Sequence, residues 1–175
     1  TLQVPVASGA WALHQITTGT NNVSVGTKSL YSNTTGGTNV AVGDKALFSN
    51  TTAGNNIAIG PFTMFANTTG CQNIGLGRYT LAANTTANFN TAVGQNAMSG
   101  ETTTRSAYNN TAVGRSCLYS INSGYNNVAV GMQAANNITT ADGSVILGAY
   151  AGEAVTTGQG NILIGYYAGG SGRTD

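Results

Sequence analysis

Asn39-Val40-Ala41-Val42-Gly43-Asp44-Lys45-Ala46-Leu47-Phe48-Ser49-Asn50-Thr51-Thr52 is one copy of a pattern that runs through almost the whole chain. The glycine closing its apolar triplet has counterparts at Gly26, Gly60, Gly77, Gly94, Gly114, Gly131, Gly148 and Gly165. From Gly26 onward the spacings are 17, 17, 17, 17, 20, 17, 17 and 17 residues. Each copy has a polar residue, usually Asn, then an apolar–small–apolar triplet and the glycine. A small residue follows three places later, with Leu or Met usually next to it. Four copies continue into Asn-Thr-Thr, beginning at Asn33, Asn50, Asn67 and Asn84.

A period of this length marks a solenoid with one small structural unit per repeat. Side chains of a short strand alternate between faces, so Val23 and Val25 are expected on one face and Ser24 on the other. Nine or ten parallel rungs, stacked at about 4.8 Å, make a rod about 45 Å long. The glycine lets the chain turn tightly or take a positive φ after each strand. The Asn before each strand can bond backbone at a turn, and stacked copies form an amide ladder. A helix is excluded, because Gly and Asn-Thr-Thr interrupt every window before two turns are complete. The expected fold is therefore all-β, a parallel β-solenoid of nine to ten rungs with a 17-residue period. Residues 1–20 read as a degenerate first rung or a join to an upstream segment, since Gly9 is in phase but Pro5 occupies the Asn slot. Residues 21–175 are the regular shaft or head.

Only 6% of the 175 residues are charged, whereas 41% are hydrophobic, so a core can form. A net charge of +1 and scattered Lys and Arg give no footprint for nucleic acid. No apolar run approaches the length that membrane insertion requires, and the first residues do not read as a signal peptide. The single histidine is His14, and Asp44, Glu101, Asp142, Glu153 and Asp175 lie apart from one another. Paired carboxylates, a nucleophile triad, zinc spacing and a phosphate loop are all missing from the text. The expectation is a chain that is not an enzyme and takes no cofactor or metal.

Cys71 and Cys117 occupy different slots two rungs apart, a rise of about 10 Å, which is too far for an intrachain disulfide. Cys117 fills the small-residue slot and reads as a buried hydrophobe. The Asn-Thr-Thr turns also match the N-glycosylation sequon, but Asn and Thr at a corner bond their own backbone, and turn chemistry is the favoured reading.

Each rung supplies about three bulky apolar side chains, such as Val23, Val25 and Leu30, so the core expected from one chain is thin. The small residues at the strand's middle slot (Ala41, Ala58, Gly75, Ala92, Ala112, Ala129) are expected to admit another chain closely. Several solenoids around one axis would bury more apolar surface per chain. Neither end carries a polar cap, so the expectation is an excerpt of a longer shaft.

The repeated Asn-x-Ala-Val-Gly-x-x-Ala-Leu with its Asn-Thr-Thr turn resembles the head repeats of YadA-like trimeric autotransporter adhesins. It is even more similar to repeats of phage and large-virus tail fibres, over roughly residues 21–169. The resemblance implies a left-handed β-roll, three chains in a bundle, and attachment to a host surface. The implied location is a virion fibre or the cell surface, and the implied partners are two further copies, a host glycan or protein, and other fibre components. The adhesin repeat is usually shorter, and the chaperone domain that often follows the viral repeats does not lie within these residues.

Two features point to where a partner would be read. Tyr31, Phe48 and Phe65 share the slot five after the glycine and should form an aromatic ladder, with Tyr119 in the same slot further on. Core or trimer-interface stacking is the plainer reading of that ladder, and glycan stacking is the other. The 20-residue unit carries three extra residues within Ser99–Asn109, a longer loop on a rigid scaffold. Glu101, Arg105 and Tyr108 give that loop charge, a planar donor and an aromatic face, a candidate receptor contact beside the plainer reading of a tolerated insertion. A purely structural filament or spacer is the alternative to host attachment. Ice binding, suggested by the Thr pairs, is remote because the pairs are read as ending after the fourth or fifth rung.

Overall fold

The computed structural model describes residues 5–100 and 106–170, which form one continuous stack of rungs. Ten three-residue strands make a single parallel sheet in chain order. They are β1 (Val6–Ser8), β2 (Val23–Val25), β3 (Val40–Val42), β4 (Ile57–Ile59), β5 (Ile74–Leu76), β6 (Thr91–Val93), β7 (Thr111–Val113), β8 (Val128–Val130), β9 (Val145–Leu147) and β10 (Ile162–Ile164). Register is strict: Val40 faces Ile57 and Ala41 faces Ala58, and Val6 pairs with Val23, so the irregular first repeat joins the same sheet. The architecture is an all-β solenoid.

The turns are stacked as regularly as the strands. Lys28 N–H donates to Ala10 O at 2.8 Å, Leu30 N–H to Ala46 O at 3.0 Å, and Thr34 N–H to Thr51 O at 2.9 Å. Backbone hydrogen bonds thus join neighbouring rungs around the circumference, which satisfies polar groups that a lone coil would leave bare. The conformation that allows this is unusual. In rung two Asn21, Lys28 and Leu30 have φ of 59°, 54° and 48°, a left-handed region costly for ordinary residues. The closing glycine is required twice over. Gly26 has φ 135°, and a Cβ on it would lie 2.4 Å from Gly43 O in the next rung.

The core corrects the expected facing of the strands. The middle residues Ala41, Ala58, Ala92, Ala112 and Ala129 are fully buried, while the flanking Val and Ile residues point outward and remain partly or largely exposed. Val23 and Val25 therefore do not fill the interior with Leu30, and the small middle residues admit no second chain. The opposite wall explains the choice. Leu30, Leu47, Met64, Leu81, Met98 and Leu118 project inward and leave room only for a small partner. At Gly75 a Cβ would come within 3.1 Å of Met64 Cε. Where the strand residue grows, the opposite slot shrinks: Ile146 faces Gly152 and Leu163 faces Gly169.

Two amide columns complete the interior. Asn39 N–H and Nδ2 both donate to Asn22 Oδ1, at 2.9 and 3.1 Å, and its Nδ2 also reaches Ala53 O at 2.9 Å. This expected ladder continues through Asn56, Asn73, Asn90, Asn110 and Asn127, with Ser144 standing in above it. A second column links Asn50, Asn67 and Asn84 to the Oδ1 of the preceding Asn at 2.8, 3.0 and 2.9 Å. It is formed by the Asn-Thr-Thr turns, whose Asn side chains are buried and fully engaged.

Candidate functional site

The outer face of the sheet is an extended apolar feature of the described surface. Val25, Ile57, Ile59, Val128 and Val130 are each between 37% and 41% exposed. Strand alternation aligns them in two rows, one on each side of the buried middle residue. Thr91 and Thr111 are the polar members of these rows from β2 to β10, and no strand residue is charged. β-Branched side chains suit such a surface because they pack against the same-face neighbours on adjacent strands.

Directly after the inward Leu30, Leu47 and Met64 comes the expected ladder of Tyr31, Phe48 and Phe65. Their rings stack at 5.2 Å and within 11° of parallel. The column is longer than the sequence reading held. His14 stacks on Tyr31 at 5.1 Å, Trp11 meets His14 edge-on, and Phe62 passes the column to Tyr79. The rings from Tyr31 to Tyr79 are half-buried, whereas Trp11 and His14 are exposed; Lys45 lies over Phe62 and Arg78 over Tyr79. Their in-phase spacing is the signal that places residues 17 apart one rung above another.

Glu101 and Arg105 lie outside the described residues. The described residues on either side keep the regular pattern: Gly100 N–H donates to Tyr119 O and Ser106 N–H to Asn122 O, as equivalent residues do in other rungs. Between Gly100 and Ser106 the sequence has five residues where a regular repeat has two. Tyr108 is 41% exposed and stacks on Tyr125 at 5.1 Å, nearly parallel. Next to it, Thr86, Ala87, Asn88, Phe89, Ser106 and Asn109 complete a cleft of about 480 Å³. Phe89 and Tyr125 were not singled out from the sequence, although both stand in corner slots that hold small or polar residues in rungs one to four.

The remaining reactive groups are engaged structurally. Cys117 is buried, its Sγ donates to Ala129 O at 3.2 Å, and burial pushes the thiol up to about 12. Cys71 is half-buried, and both cysteines are free. Asp142 Oδ1 accepts the Tyr125 N–H at 2.9 Å. Among the described residues, no three His, Cys, Asp or Glu side chains come together as a metal site. The Thr pairs do not end after the fifth rung, since Thr139-Thr140 and Thr156-Thr157 restore them. The first Thr of a pair bonds the next rung, as in Thr34 Oγ1 to Thr51 O at 3.1 Å, while the second, such as Thr35 or Thr140, is exposed. No family model, curated protein or solved structure matches this chain.

Proposed function

We propose that this chain is a rigid segment of a trimeric fibre or surface adhesin that serves in host attachment. Three copies of the solenoid, left-handed as the resemblance implies, associate through the outer faces of their sheets. The observation that carries this reading is the uncharged double row of Val and Ile along β2 to β10. These side chains run the length of the sheet and stay partly or largely exposed. Large exposed apolar patches of this kind mark interaction sites. Strands packed in this way would bury the half-exposed rows without disturbing the interior.

The test is the solution mass by light scattering near neutral pH. A mass of three chains is expected, and a stable single-chain mass would overturn the assembly. Ile57→Lys with Ile59→Lys should yield single chains with unchanged far-ultraviolet circular dichroism. Persistence of the trimer in that variant would remove this face from the interface. Binding of the trimer to host cells separates attachment from the alternative, a spacer that only sets length. Ice binding has less support, since in the described pairs from Thr34 to Thr139 the first Thr is partly buried and only the second is exposed.

A further inference from the structure

We infer that the cleft between Phe89 and Tyr108 is a subsite for a neutral saccharide, a proposal that deepens the attachment reading and rests on it for biological purpose. The corner two slots wide that precedes each strand is small or polar in the first four rungs, where it holds Thr20-Asn21, Gly37-Thr38, Gly54-Asn55 and Cys71-Gln72. It becomes aromatic only beside the lengthened rung, at Phe89, Tyr108 and Tyr125. Phe89 holds φ 60°, a left-handed conformation occupied elsewhere in this slot by Asn, Thr, Gln or Gly, and keeps 52% of its surface exposed. Neither burial nor backbone preference explains a Phe there.

The chemistry of the cleft selects the ligand. One face of the Tyr108 ring is covered by Tyr125, which fixes its orientation, and the ring borders the cleft opposite Phe89. Flat apolar ring faces match the C–H face of a pyranose. The polar lining is neutral: the Asn88 and Asn109 amides and the Ser106 hydroxyl. Asn88 Oδ1 is held by Cys71 N–H at 2.6 Å, which orients the amide and leaves Nδ2 to donate. Amides and hydroxyls serve the vicinal hydroxyls of a sugar, and among the described residues none that lines the cleft is charged. A volume of about 480 Å³ lies in the range of small-ligand sites and holds one or two sugar rings.

Saturation-transfer NMR with lactose, maltose and N,N′-diacetylchitobiose at millimolar concentration tests the site. At least one disaccharide is expected to receive saturation on its ring-face protons. Tyr108→Ala should weaken that sugar at least tenfold, Tyr108→Phe should preserve it, and Phe48→Ala in the distant ladder should leave it unchanged. Circular dichroism of each variant checks folding. No transfer to any of the three sugars, or equal transfer in a folded Tyr108→Ala protein, would overturn the subsite. Because the trimer mass is measured separately, loss of the saccharide would not be confused with loss of the fibre assembly.

Discussion

Rungs two to five and rungs seven to nine share a period, a strand and a glycine corner, yet they fill one interior slot with opposite chemistry. The first group places Asn33, Asn50, Asn67 and Asn84 there, each amide bonded to its neighbours. The second places Ile121, Ile138 and Val155 in the same slot, with the two Ile side chains fully buried. The slot therefore takes either polarity. Where the two meet, at Ile16 of rung one and Asn33 of rung two, the Asn33 amide turns its Nδ2 to Gly36 O at 2.9 Å. The Asn column closes on itself, because Asn84 Oδ1 turns to Ala87 N–H at 3.2 Å. In the sequence the three extra residues come between Asn84 and Ile121, the last Asn and the first Ile of this slot. Irregularity sits where the core changes character, and the aromatic cleft lies on the same junction.

The largest expected effect comes from breaking a column at its centre. Asn67→Leu removes the donor to Asn50 Oδ1 and the acceptor of Asn84 Nδ2, and both of these groups are buried. Leaving buried amides unpaired should cost about 3–4 kcal/mol. Changing all four Asn residues to Ile removes the donors and acceptors of the column together, leaves only the Ala87 N–H without its side-chain acceptor, and imitates the later rungs, so that variant should lose less than the single one. Urea unfolding midpoints at constant slope measure both. A fourfold larger loss in the quadruple variant would mean that the two regions are not interchangeable.

A second difference concerns pH. The small slot beside the Leu column holds Ser29, Ala46, Thr63 and Thr80 in the Asn rungs, but Cys117 in rung seven. Burial raises that thiol from an ordinary 9.0 to about 12, because the thiolate would lose its water. The sign follows from where protons leave. Below pH 9 the thiol is neutral in both states and the contribution is constant. Above it the unfolded chain ionises first, so stability falls as pH rises towards 12, by about 2 kcal/mol at pH 10.5. Cys117→Ala should abolish this part of the alkaline loss, measured as the difference between the two proteins from pH 8 to 10.5. Parallel curves would show that the thiol is hydrated in the folded chain.

Period, strand positions and the Asn column before each strand were legible because every repeat states them again. Which face of the strand looks inward was not, since V-x-V with a small centre reads as bulky-side-in by hydrophobic pattern alone. The answer lay in compensation across the rung. Gly152 and Gly169 replace the inward Leu only where Ile146 and Leu163 replace the small strand residue. The second Asn column was hidden because Asn-Thr-Thr is also ordinary turn sequence, and burial rather than composition tells the two apart. The ladder of Tyr31, Phe48 and Phe65 was legible from phase. His14 and the Tyr108–Tyr125 pair are equally in phase, but the irregular first rung and the insertion obscured them.

The smallest effect extends that ladder across the first region. Phe65 is the last ring of its own slot before the column shifts to Phe62 and Tyr79, and the next rung offers Ala82 at the equivalent slot. A ring at Ala82 would stack on the free side of Phe65 and stand beside Tyr79, as Phe65 itself stands beside Phe62 at 5.9 Å. One additional stacked pair at a half-exposed position should add up to about 1 kcal/mol. Ala82→Phe is therefore expected to raise the urea midpoint slightly with no change of slope. The half-buried surroundings decide the sign: Ala82 is not part of the closed interior, so the larger side chain meets solvent rather than packed neighbours. A lowered midpoint would show that the rungs near the insertion are less in phase than those before it, and that the junction between the two cores begins one rung earlier than residue 101.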